Sequence, residues 1–156
     1  MLNLMQINKK IITRIFKSVA VSSICLIPLN VKAEGVSETM RYAIYDLVDE
    51  MIECAVYYSI MGAGEDSTGN LTEYSQRFLG LTEQLGLMAF NLADSIDLKG
   101  EVIESKVVSY SKKMSQEIGG DGINISILIN KHGEFCKGLV EDPEARLSYW
   151  IQKEAG

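Results

Sequence analysis

The sequence predicts an all-α fold, an antiparallel four-helix bundle with a short C-terminal helix, closed by one disulfide. Three observations carry this expectation. Apolar residues recur at alternating steps of three and four through four long segments. Glycine-rich or polar links separate those segments, and Cys54 and Cys136 fall on the apolar stripes of the first and the fourth.

The first segment, Ser37 to Met61, places Met40, Ile44, Leu47, Met51, Cys54, Tyr58 and Met61 on one helical face. Ser37 offers a hydroxyl to the unpaired amides of the first turn, and Gly62-Ala63-Gly64 ends the helix. After a polar loop from Glu65 to Gly69, the second segment carries Leu71, Tyr74, Phe78, Leu81, Leu85, Met88, Leu92 and Ile96. Gly80 and Gly86 weaken its intrinsic propensity by up to about 1 kcal/mol each and are read as ordinary packing positions. The third runs through Ile103, Val107, Tyr110, Met114 and Ile118 and stops at Gly119-Gly120-Asp121-Gly122.

The fourth segment, Ile123 to Val140, begins with β-branched residues that would suit a strand. No second strand exists to pair with it, so a helix is expected, with Ile125, Ile129, His132, Cys136 and Leu139 turned inward. Asp142-Pro143-Glu144 then supplies an N-cap, a proline at the first helical position and an acid in the first turn. A short last helix follows with Leu147, Trp150 and Ile151. Short links make sequential helices antiparallel neighbours, and in that topology helices one and four also adjoin, which lets Cys54 reach Cys136.

The chain opens on Lys9, Lys10, Arg14 and Lys17 with no acid, continues through an apolar run from Val19 to Leu29 broken by Pro28, and reaches Val31-Lys32-Ala33. A basic leader, a short apolar stretch and small or branched residues three and one positions before a cut are what signal peptidase accepts. Residues 1–33 therefore read as a cleavable secretory signal and residues 34–156 as one helical domain, periplasmic or secreted. The apolar run falls short of the roughly 20 residues that span a bilayer, so no membrane attachment is expected after cleavage. Cys25 leaves with the leader, and an oxidising compartment pairs Cys54 with Cys136.

Charge narrows the partners. The whole chain holds 15 Lys and Arg against 21 Asp and Glu, and five of the basic residues lie in the leader, so the mature domain carries 10 against 21, a net of −11. Such a surface repels phosphate backbones and anionic lipid, which excludes nucleic-acid binding. A basic protein partner fits instead.

The residues give no catalytic, metal or cofactor motif. His132 is the single histidine, and residue 129 is isoleucine, so the Glu-x-x-His pairs of helical di-metal sites are absent. Gly62-x-Gly64 follows a helix, and Gly119-Gly120-Asp121-Gly122 lacks the lysine and hydroxyl of a phosphate loop. No serine or cysteine has an evident base.

Two surfaces remain. Tyr42, Tyr45, Asp46, Asp49, Glu50, Glu53 and Tyr57 form an acidic and aromatic stripe on the first helix, suited to gripping a basic protein. Tyr58, Tyr110 and His132 fall on inward faces and could line a ligand cavity. The sequence thus points to an exported, non-enzymatic protein-binding or accessory factor, of inhibitor, chaperone-like or assembly type. The alternative is a small-molecule carrier that uses the bundle interior.

Overall fold

A computed structural model describes residues 36–64, 70–119 and 124–156. Residues 1–33, expected to be a secretory leader, the Glu65–Gly69 loop and most of the second glycine break lie outside the described residues. Within them the protein is all-helical: α1 Glu38–Met61, α2 Glu73–Ser95, α3 Gly100–Glu117, α4 Ile125–Glu141 and α5 Pro143–Ala155.

The caps follow from the local chemistry. The Ser37 hydroxyl accepts from the Met40 amide at 3.2 Å, and Asp142 Oδ1 accepts from the Ala145 amide at 2.8 Å. Thr72 caps α2 through the Ser75 amide at 3.1 Å, while the Ser75 hydroxyl donates to the Gly64 carbonyl at 2.6 Å and fastens the end of α1 to the start of α2. Between α2 and α3, Asp97 takes the left-handed conformation (φ 56°) and the Leu98 amide returns to the Ala93 carbonyl at 2.9 Å. Gly119 closes α3 in the same region, at φ 82°.

Helix α1 touches all four other helices. Twelve of its 24 residues are buried, more than one stripe can supply. Ala43, Val48, Ile52, Ala55, Val56 and Tyr57 are covered in addition to the expected Ile44, Leu47, Met51, Cys54 and Tyr58. Around it pack Leu85, Ala89 and Ala93 of α2, Ile103, Val107 and Met114 of α3, and Leu128 and Leu139 of α4. Cys54 and Cys136 are bonded with Cα atoms 5.3 Å apart, and both are fully buried.

Two inward expectations are corrected. Ile129 is 44% exposed and Leu128 takes its place in the core, because the α4 stripe steps 128, 132, 136, 139. Tyr74 is 75% exposed: it stands on the first turn of α2, where the apolar spacing runs on past the edge of the core.

The glycines separate into two kinds. A Cβ on Gly62 would lie 2.9 Å from Leu79 Cγ and 3.1 Å from the Ser75 carbonyl oxygen, whereas one on Gly80 would meet nothing within 4 Å. Gly62→Ala is therefore expected to destabilise by about 1–3 kcal/mol through overpacking. Gly80→Ala should stabilise by roughly 0.5–1 kcal/mol through the lost backbone freedom of the unfolded chain. Urea melts of the two variants check both signs.

Candidate functional site

Residue 46, the pair 49 and 50, then 53 and 57 are separated by three or four, so helical geometry alone sets Asp46, Asp49, Glu50, Glu53 and Tyr57 along one side of α1. Because α1 is the central helix, most of that side faces other elements and not solvent.

Asp49 accepts from Lys106 Nζ at 2.5 Å on one oxygen and from the Tyr110 hydroxyl at 2.8 Å on the other, both from α3. Burial works against the Lys106 charge, yet its bond to Asp49 outweighs this and raises its pKa. Burial, and then the bond to Asp49, push the Tyr110 phenol well above the usual tyrosine value, which keeps it a donor. Lys106 Nζ also lies 4.7 Å from the centre of the Tyr45 ring.

Glu50 is the hub for α5. It accepts from Arg146 Nε at 2.7 Å, from Arg146 Nη2, and from the Trp150 indole at 3.0 Å. The guanidinium pair is a fork with both carboxylate oxygens engaged.

Glu53 meets α4, where its Oε1 stands 3.7 Å from His132 Nδ1. His132 is 4% exposed, and its Nε2 is buried with no hydrogen-bond partner among the described residues. Burial, reinforced by Lys131 and Lys113, lowers the His132 pKa against the opposing pull of Glu117. Burial likewise raises the Glu53 pKa. Both groups are thus driven toward their neutral forms.

The pH consequence has a definite sign. A histidine whose folded pKa lies below its unfolded value of about 6.5 favours folding above that pH, and the gain is lost as pH falls through the folded value. Glu53 acts oppositely, since a raised carboxyl pKa favours folding in acid and the gain fades as pH rises through the folded value. His132→Gln removes only the first contribution. The change in stability from pH 7 to pH 5 should therefore be more favourable in His132→Gln than in the native chain, as read from urea melts at the two pH values.

The outward part of the stripe is its N-terminal end. Tyr42 is 53% exposed and donates to Glu38 at 3.2 Å, Tyr45 is 36% exposed, and Asp46, one turn on from Tyr42, is half-buried. Burial, then the nearby Glu154, raise the Asp46 pKa against the pull of Lys153. Tyr57, expected on the exposed stripe, is instead 4% exposed, 5.9 Å from the His132 ring and 5.0 Å from the Tyr58 ring. The physical reason is that α4 covers this end of α1, tied there by the Cys54–Cys136 bond.

The three cavity candidates sit on different partners. Tyr58 stacks on Phe78 of α2 at 5.8 Å, Tyr110 bonds Asp49, and His132 adjoins Tyr57 and Glu53. An apolar crevice between α1, α2 and α3, lined by Ile52, Ala55, Gly86, Ala89, Ile103 and Val107, includes none of the three. It has room for about one water molecule.

Arg146, Trp150 and Lys106 are structural partners of the acidic stripe that the reading of α1 alone did not reach. The available signal was on α5, where Arg146, Tyr149, Trp150 and Lys153 fall at i, i+3, i+4 and i+7. Among the described residues no three His, Cys, Asp or Glu side chains converge as a metal site requires, and no helix is long and apolar enough to cross a membrane. No family model matches the chain, and neither a curated protein nor a solved structure resembles it.

Proposed function

We propose that this is an exported, non-enzymatic protein-binding or accessory factor, periplasmic or secreted, acting as an inhibitor, chaperone-like protein or assembly factor. The leader pattern supports export, and a disulfide between buried cysteines suits an oxidising compartment. We also read α1 to α4 as an antiparallel bundle, supported by the short links and the α1–α4 staple.

The observation that carries the reading is the exposure of Tyr42 and Tyr45 beside Asp46 on the helix that buries the most residues among the described ones. Aromatic side chains on a rigid support give contact area at little entropic cost, and a carboxylate beside them favours a basic partner. Asp49 and Glu50 contribute less than the sequence suggested, because each already neutralises a cation of its own chain.

The test changes Tyr42→Ala, Tyr45→Ala and Asp46→Lys together and compares capture of partners from the extracytoplasmic fraction with the native chain. Capture should be lost with the melting temperature little changed. Undiminished capture would remove this face from the account.

The small-molecule carrier keeps one supporting observation, the buried His132 Nε2 without a partner among the described residues. A small bound mass that disappears in His132→Gln would favour it.

A further inference from the structure

We propose that α5 is a displaceable occupant of a helix-docking face on α1. The face takes a partner helix that carries cationic and aromatic side chains at the spacing of Arg146, Tyr149, Trp150 and Lys153. This deepens the protein-binding reading and rests on it.

Burial sets α5 apart. None of its 13 residues is buried, whereas each of α1 to α4 buries at least four. What holds α5 is polar and concentrated: Arg146 and Trp150 both bond the single carboxylate of Glu50. Leu147 and Trp150 pack against the core only in part.

Its contact surface has the form of a peptide ligand. Arg146 lies 4.3 Å from the centre of the Tyr149 ring, 5.3 Å from Trp150 and 5.2 Å from Phe135 of α4, and Lys153 lies 4.0 Å from Trp150. Residues at i, i+3, i+4 and i+7 are the anchors by which an amphipathic helix enters a groove. The receiving side has the matching register: Ala43, Asp46, Leu47 and Glu50 follow the same spacing on α1. Ala43 and Leu47 are buried, Glu50 binds Arg146, and Asp46 lies near both Glu154 and Lys153, with the repulsion from Glu154 outweighing the pull of Lys153. The acidic side of α1 thus meets Arg146 and Trp150 of a helix of the same chain that is neutral overall, with Glu144 and Glu154 balancing Arg146 and Lys153.

The connection allows exchange. Asp142 alone separates α4 from α5, and Pro143 cannot continue α4 because its ring meets the carbonyl four residues back. The two helices are therefore separate rigid pieces hinged at one residue. A free 13-residue helix is marginal in water, so α5 should lose helicity when displaced. As a tethered competitor it also lowers the apparent affinity of any partner by the fraction of time the face is open.

The experiment uses the full chain and a fluorescein-labelled peptide of residues 142–156, read by anisotropy. Arg146→Ala with Trp150→Ala loosens the resident helix and leaves the face on α1 intact. That variant should bind the peptide at least ten-fold more tightly than the native chain, and adding Glu50→Gln should abolish the gain. Equal binding by the loosened and native chains overturns the proposal. A gain accompanied by dimerisation of the loosened chain overturns it too, by assigning the face to a second copy. Amide exchange on the native chain gives a test free of variants: residues 143–155 should exchange at least a hundred-fold faster than residues 43–56, and equal protection overturns the proposal. Capture that depends on Tyr42 and Tyr45 without any gain in peptide binding leaves the protein-binding reading standing and removes this inference alone.

Discussion

Replacing Cys54 and Cys136 together by alanine should cost the fold about 4.5 kcal/mol in the chain-entropy model, since the bond closes a loop spanning 82 residues. A domain of this size has a net stability of roughly 5–15 kcal/mol, so the loss removes from about a third to nearly all of it. The loss has a local consequence as well. Cys136 lies one helical turn beyond His132, and without the bond α4 is held to α1 by Leu128, Leu139 and the Glu53–His132 approach. The measurement is a urea melt of the double variant against the native chain under oxidising conditions. Equal midpoints, with two titratable thiols in the native chain, would contradict the staple.

Met51→Ala is the second large effect. Met51 is fully buried, and its helix is covered by four neighbours, so the surroundings cannot collapse from one side to fill the space. Deleting a buried side chain of this size costs about 2–5 kcal/mol, and a site with little room to relax falls in the upper half of that range. Tyr42→Ala, about two and a half helical turns away and exposed, should stay within about 0.5 kcal/mol of the native chain. The contrast separates a residue that supports the central helix from one that the same helix presents. A Met51→Ala loss below about 1 kcal/mol would mean that α1 is not the centre of the fold.

Much of the architecture was legible because it is local. Ser37, Gly62 and the Asp142-Pro143-Glu144 run mark helix ends through backbone chemistry that needs no tertiary context. The four-and-three spacing of Ile44, Leu47, Met51 and Cys54 names the most apolar stripe of α1 for the same reason. What that spacing cannot count is how many neighbours a helix has. Val48, Ile52 and Val56 lie off the stripe yet are buried, and Tyr57 with them, because α3 and α4 cover sides that periodicity assigns to solvent.

The acidic residues illustrate the same limit. Asp49 finds Lys106 and Tyr110, 57 and 61 residues away, and Glu50 finds Arg146 and Trp150, 96 and 100 residues away. A cluster of acids on one helix reads as an exposed ligand surface until those distant cations are placed. In α4, isoleucine on several sides of the first turns left the register open, and the choice of Leu128 over Ile129 was made by packing.

Native mass spectrometry of the protein, recovered gently from the cells that make it, decides whether it works by holding a protein partner. A stoichiometric protein adduct is expected, and it should be lost when Tyr42, Tyr45 and Asp46 are changed. A bare monomer in the native chain, or one carrying only a small bound mass, would contradict it.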